Sequence, residues 1–398
     1  MQSKTIDLII IPFHDCKKWL REGFRTRDAH LFEQFQKNPN IRKILVVNRP
    51  VSVAEIVVRR EKWQTNYGKL VAKEFAWELR EITENVFNID FFDWDFFRVL
   101  KEKKGWWFTA FNKKNVIESL QKAMSKLDMK NTVLFLENPM AIGVARHIKF
   151  DAFAFDAIDN WLCHPQMEPY RAVVEKNYRF VDDNANAVFT VSENLKQVFP
   201  TNKNVQWVSN GVDVEFFQNA FSEESEKQIV GYAGKIQERV DFDLVENCLK
   251  ACPSVEFQFL GPAYSQKERI AELKRKYPNI KFLGDIHYSE LPKYMKKWNV
   301  AIIPHKVDPF TASMNPLKLY EYLAAGKQVV STGVAGVSKS ISPYVYVAAS
   351  ADEFVALLET ALNCAGVTPK EIAESIPMEY HWSNRANIIS DKLSSLVG

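Results

Sequence analysis

Short apolar runs bounded by turn residues recur along the first half of the chain: "IDLIIIPF" (6–13), "KILVVN" (43–48), "TVLFLEN" (132–138), "FDAFAFD" (150–156), "AVFTVS" (187–192) and "VQWVSN" (205–210). Between them the apolar positions spread out to helical spacing, as in 27–37 and 113–127. Strands alternating with amphipathic helices predict right-handed βαβ units and a mostly parallel sheet. The pattern breaks at "NGVDVEFFQNAFSEESEKQ", whose charged stretch at 222–228 reads as a linker or exposed loop. It then restarts with "IVGYAG" (229–234), "VEFQFLG" (255–261), "IKFLGD" (280–285), "VAIIPH" (300–305) and "QVVST" (328–332). A last segment, "YHWSNRANIISDKLSSLV", places Trp382, Ala386, Ile389, Leu393 and Leu396 on one stripe of a helix.

A chain of 398 residues exceeds one comfortable core and divides naturally into two domains of about 150–200 residues. The expected fold is therefore α/β: two doubly wound, Rossmann-like domains, 1–208 and 209–377, facing each other across a cleft. Hydrophobic content of 46% and charged content of 25% are ordinary for a globular protein, and a net charge of +3 gives no ground for a nucleic-acid partner. No apolar run has the length of a signal peptide or of a membrane span, which points to a cytoplasmic protein. The five cysteines are odd in number and scattered, and the "CLKAC" pair has no partners that would complete a metal pattern. Neither a metal nor a cofactor is expected.

In open parallel sheets, ligands collect beyond the carboxyl ends of the strands. "IVGYAGKIQERVDFDLV" is such an end, with Gly234 allowing close approach and Lys235 and Arg239 supplying positive charge. It lacks the glycine patterns of dinucleotide and P-loop sites, and an ordinary loop with solvated charges explains it as well. "HKVDPFTASMNPLKLYEYLAAG" follows another strand end. Asn315-Pro316 would open a helix there, and the free N–H groups, the dipole and Lys318 suit a phosphate. Glu321, on the same face as Lys318, suits ribose hydroxyls. The competing reading is a surface Lys/Glu pair worth a few tenths of a kcal/mol.

The ordered set "VSNGVDVEFF", "GYAGKIQERVD", "FLGP", "FLGDIHYSELPKYM" and "NPLKLYEYLAAGKQVVST" resembles the nucleotide-sugar half of a GT-B glycosyltransferase, over roughly residues 205–335. The likeness is to family-4-type enzymes, especially bacterial teichuronic-acid and exopolysaccharide transferases. It implies that Glu321 binds the ribose of a nucleoside diphosphate sugar. Asn315, Pro316, Leu317 and Lys318, with Lys235 or Arg239, would hold the diphosphate, and the loop at Ile286 and His287 would hold the base. Ser313 stands where many retaining relatives carry the first glutamate of a Glu-x7-Glu pair, so the stereochemical course stays open.

In the first domain, Asp156 at a strand end and Asp159 one turn on would either cap and stabilise locally or serve as catalytic carboxylates, the second reading being the one that GT-B relatives support. Glu137 in "FLENP" also ends a strand. Arg21, Arg25 and Arg27 lie where such enzymes receive the acceptor, an anionic saccharide or a polyprenyl-linked one, although a solvated helix face explains them too. The stretch 88–115 interleaves aromatics, including Trp106 and Trp107, with lysines. It reads either as core or as a peripheral contact with the inner face of the cell membrane. The resemblance also implies that the final segment, 378–398, packs back on the first domain. The function expected is sugar transfer in bacterial surface-polysaccharide assembly, against two rivals: a GT-B nucleotide-sugar epimerase and a binding subunit without catalysis.

Overall fold

A computed structural model describes residues 5–221, 227–334 and 336–397. Most of the charged stretch read as a linker, 222–226, lies outside the described residues. By its internal packing the chain forms two units, residues 1–208 with 386–398, and residues 209–385.

The first unit carries strands β1 (Ile6–Ile11), β2 (Ile41–Val47), β3 (Val51–Ser52), β4 (Lys69–Glu74), β5 (Trp77–Thr83), β6 (Val86–Asp93), β7 (Thr132–Leu136), β8 (Ala152–Ala157), β9 (Ala187–Thr190) and β10 (Val205–Trp207). Their order is β10-β9-β8-β7-β1-β2-β6-β5-β4, with β3 paired to β6. From β10 to β6 the sheet is parallel, and every residue of β1 is buried because helices cover both faces. Beyond β6 the sheet turns antiparallel through β5 and β4.

That antiparallel edge is absent from the sequence reading, which treats 88–115 as one aromatic–lysine element. In the structure, 88–93 belongs to β6, paired Trp77↔Phe91 with β5, and Phe91 is buried. The alternation of buried Trp77 and Leu79 with charged Glu78 and Arg80 was the available signal; Glu78 is itself buried, held by Arg80 and by Gln64. Trp106 is fully buried and donates its indole N–H to Asp95 at 3.1 Å. Trp107 lies under the Arg49 guanidinium, 4.9 Å from the ring centre. These two tryptophans are part of the packing, so they are the wrong residues for a membrane contact.

The second unit carries β11 (Ile229–Ala233), β12 (Glu256–Leu260), β13 (Ile280–Gly284), β14 (Val300–Ile303), β15 (Gln328–Thr332) and β16 (Val345–Ala348), ordered β13-β12-β11-β14-β15-β16 and parallel throughout. Only β16, four residues with two half-buried, escaped the apolar pattern. The last helix spans Trp382–Ser395. Trp382, Ala386, Ile389 and Leu393 are buried along one stripe. The change of unit falls at Ala386, inside the helix, rather than near residue 378. The first turn stays with the second unit, where Trp382 N–H donates to the Val212 carbonyl at 3.2 Å. Further along, the Ser390 hydroxyl accepts from Asn38 at 2.7 Å within the first unit. Among the described residues, no helix is long and apolar enough to cross a membrane.

Candidate functional site

Counted from its own first strand, the second sheet has the order 3-2-1-4-5-6, so the direction of winding reverses between β11 and β14. The loops leaving the carboxyl ends of those two strands diverge there and leave a crevice. From β11 the chain turns through Gly234, whose φ of 137° is open only to glycine. A Cβ at this position would stand 2.8 Å from the Lys318 Nζ, so the missing side chain makes the room that the lysine occupies.

Lys318 enters from the helix Leu317–Ala324 and is more than nine-tenths buried. Its ammonium donates to the Tyr232 hydroxyl at 2.9 Å and lies 4.0 Å from the centre of that ring. The Tyr232 hydroxyl donates in turn to the Lys235 carbonyl at 3.2 Å, which ties the glycine loop to the lysine. His305, at the end of β14, brings Nε2 to 3.4 Å from the Lys318 Nζ. Burial first, then the Arg239 charge, pushes the Lys318 ammonium well below its ordinary 10.5, with Glu321 opposing. Burial, then Lys318 and Arg239, pushes His305 well below 6.5, so it is neutral. The Arg239 Nε is buried without a hydrogen-bond partner. Lysine and arginine thus converge on one crevice at a helix N-terminus, an arrangement an anion would relieve.

Glu321 is also more than nine-tenths buried, and its carboxylate accepts from the Tyr288 hydroxyl at 2.9 Å. Tyr288 is held by stacking on Phe216, with ring centres 5.1 Å apart and planes 3° from parallel. Lys318 and Glu321 therefore face different partners, and the surface ion pair is ruled out by their burial. Asn315, an expected ligand, and Ser313, which stands in the lost glutamate's place, both have protein partners. The Asn315 side chain is engaged on both ends, accepting from the Asn210 N–H at 2.8 Å and donating to the Tyr320 hydroxyl at 3.0 Å. It anchors the start of the helix at Pro316 and Leu317, leaving backbone N–H groups rather than its amide for a ligand. Ser313 donates to the Phe310 carbonyl at 3.1 Å. Ile286 is half-buried and His287 exposed in the loop after β13, with His287 Nδ1 2.8 Å from the Ser289 hydroxyl. Tyr232, His305 and Tyr288 were not singled out by sequence, since each reads as an ordinary strand or loop residue.

The first sheet reverses between β1 and β7, and its carboxyl ends bring four ionisable groups close together. Arg27, at the start of the helix Arg27–Phe35, forks onto Asp156 with Nε at 2.7 Å and a terminal nitrogen at 3.0 Å. Asp156 is fully buried, and burial raises its carboxyl against the pull of Arg27. Asp28 accepts from the His14 N–H at 2.7 Å. Burial would raise it, but the His14 charge and hydrogen bonds from His14 and Thr26 outweigh that and hold it at about 2. Glu137, at the end of β7, is buried with neither oxygen hydrogen-bonded. Burial, then Asp28 and Asp156, raises its carboxyl well above 4.5.

Asp156, expected as a catalytic carboxylate, forms one half of a buried ion pair with both oxygens engaged by Arg27. Of the three arginines, only Arg21 is solvent-facing; Arg25 is held by Glu22 at 2.9 Å and Arg27 by Asp156. Asp159 is half-buried, with its backbone carbonyl accepting from the Tyr178 hydroxyl at 3.2 Å, and is the more accessible of the two aspartates.

Residues 227–364 match the sequence profile described as glycosyl transferases group 1. A candidate teichuronic acid biosynthesis glycosyltransferase, TuaH of Bacillus subtilis (strain 168), is 30% identical over 199 residues, which are 47% of this chain and 50% of that protein. The chain thus spans about half the length of the curated relative it matches. Among solved structures it is similar to sucrose-phosphate synthase from Thermosynechococcus elongatus, with a TM-score of 0.69 at 14% identity over 99% of both chains. It is also similar to the catalytic domain of Arabidopsis thaliana starch synthase IV bound to ADP and acarbose, with a TM-score of 0.69 at 12% identity over 99% of this chain and 100% of that one. Anabaena HepE in complex with UDP and glucose matches with a TM-score of 0.63 at 14% identity, over 98% of this chain and 100% of that one. The fold is GT-B, and it is the second unit that carries the match to the group 1 glycosyltransferase profile.

Proposed function

We propose that this chain transfers a sugar from a nucleoside diphosphate sugar to a saccharide acceptor, lipid-linked in the reading we favour, in assembly of a bacterial surface polysaccharide at the cytoplasmic face of the cell envelope. The observation that carries the proposal is the buried Lys318, faced by Arg239 and the neutral His305 at a helix start where a glycine has cleared the space. As the glycosidic bond to the diphosphate breaks, negative charge grows on the leaving oxygens, and fixed cations and N–H donors there stabilise it. Glu321, with Tyr288 orienting it, takes the ribose hydroxyls, and the Ile286–His287 backbone takes the base. HepE has been solved with UDP and with UDP-glucose, so these are the first probes, beside ADP and GDP.

Calorimetry with this panel tests the reading. Glu321→Gln should weaken nucleoside diphosphate binding by about 1.5–3 kcal/mol, the worth of a hydrogen bond to a charged group, with an unchanged melting temperature. Equal affinity for the variant would remove Glu321 from the site.

Binding should also take up protons. Lys318 sits well below 10.5 in the free protein, and a diphosphate against it favours the charged form and raises it. Between the free and bound values the complex holds more protons, so affinity for UDP falls as pH rises through that window. Titrations in buffers of different ionisation enthalpy measure the uptake. Binding with no proton exchange anywhere below pH 10.5 would contradict a lysine–diphosphate contact.

A second reading, a binding subunit without turnover, draws on Ser313 in the glutamate's place and on Asp156 being locked to Arg27. It predicts donor binding with neither released diphosphate nor isomerised donor. In the transfer reading we assign the acceptor's proton to Asp159, which is half-buried where Asp156 is fully buried.

A further inference from the structure

A patch of large apolar side chains stands in solvent at the carboxyl edge of the first sheet. The helix Phe97–Glu102 buries none of its side chains, although Phe97 and Leu100 share one face. Phe97 is 83% exposed and Leu100 50%. A helix of a globular protein normally hides such a stripe. It packs beside the helix Val53–Arg59, where Val57 and Val58 are exposed as well. Trp94 leaves the end of β6 at 62% exposure and stacks on Phe75 at 77%, ring centres 5.7 Å apart. Phe75 lies in the turn between β4 and β5, and the Trp77↔Phe91 pairing sets that turn at the carboxyl end of β6. The Val51↔Phe92 pairing of β3 starts the helix Val53–Arg59 at the same end. Four separate segments therefore converge on one edge, each bringing apolar groups outward.

The charges around the patch identify what covers it. Arg59, Arg60, Lys101 and Lys103 are exposed beside it. The acids on these elements have cationic partners: Glu102 has Arg98 at 2.6 Å, Asp93 and Asp95 share Lys113, Glu74 has Lys122 at 2.9 Å, and Glu55 has Arg49 at 2.9 Å with Arg59 at 4.0 Å. The surplus is positive. Two copies of the same patch would set like charges against each other, which disfavours a self-association through it. Aromatic and aliphatic groups ringed by lysine and arginine match the headgroup region of an anionic bilayer, rings inward and cations among the phosphates. We infer that this edge of the first unit is a docking surface for an anionic lipid bilayer. The inference rests on the surface alone and does not depend on the sugar-transfer reading.

The test is co-sedimentation of the full chain with vesicles of phosphatidylcholine alone and with about one third phosphatidylglycerol. The chain should pellet with the anionic vesicles, far less with the neutral ones, and be released by salt. Phe97→Ser with Leu100→Ser should lower the partition coefficient roughly tenfold or more, since two apolar side chains leave the interface. The melting temperature should not change, because neither residue is buried. Lys101→Ser with Lys103→Ser should lower binding less steeply and flatten the salt dependence. Met378→Ser, which removes an exposed apolar group of the second unit, should change nothing. Equal recovery in the supernatant with and without anionic vesicles overturns the inference. So does a wild-type dimer in sedimentation velocity that Phe97→Ser with Leu100→Ser converts to monomer, which would give the patch to a second copy.

Discussion

Lys318→Met is expected to lower turnover of a nucleotide-sugar donor by roughly 10²- to 10³-fold, the usual consequence of removing one group that stabilises charge on a departing oxyanion. The same change should leave the melting temperature unchanged or raise it. Methionine has nearly the volume of lysine and packs on the Tyr232 ring without having to bury an ammonium. The Tyr232 hydroxyl keeps its bond to the Lys235 carbonyl and lies 3.3 Å from His305 Nε2. A second signature follows from linkage. Lys318 sits lower folded than unfolded, so between those values the unfolded chain holds the extra proton and wild-type stability rises with pH. That slope should shrink in Lys318→Met. A variant that loses activity because it unfolds would show the opposite change in melting temperature. Full activity in a folded variant would end the diphosphate assignment.

Arg27→Met should destabilise the first unit by about 3–5 kcal/mol in urea unfolding, as expected when one partner of a buried ion pair is removed. It leaves Asp156 fully buried and unpaired, with Asp28 and Glu137 close enough to raise the energy of a further negative charge. Removing both members, Arg27→Met with Asp156→Leu, should recover much of the loss. A loss below about 1 kcal/mol for the single variant would contradict the structural role. Asp156→Asn then separates structure from chemistry. If Asp156 serves the fold, stability falls and the folded fraction keeps its specific activity. If it serves the reaction, stability holds and turnover drops.

Most of the parallel framework was legible because strands buried on both faces are near-continuous apolar runs, and β1, β7, β8, β11 and β14 read so, with a single carboxylate in β1 and in β8. The antiparallel β4–β5–β6 edge was not, because β4 buries no residue and the buried Glu78 and Asp90 interrupt the apolar pattern of β5 and β6 with charges that are satisfied by distant groups. The helix of "NPLKLYEYLAAG", its start and the shared face of Lys318 and Glu321 follow from spacing alone. What the two side chains touch does not.

The sequence by itself determined the two βαβ units, the order of strand and helix within them, and the strand ends at which ligand chemistry collects, because hydrophobic periodicity and capping act over a few neighbouring residues. Only the tertiary structure decided the pairings: Arg27 with Asp156 across 129 residues, Lys318 with Tyr232 across 86, and Tyr288 with Glu321 across 33. Such partners meet because the winding of each sheet reverses beside its first strand, and that reversal also decides whether a carboxylate is left to react or is spent holding the fold. Local spacing carries no record of strand order, and the energy of a charge depends on what strand order brings beside it.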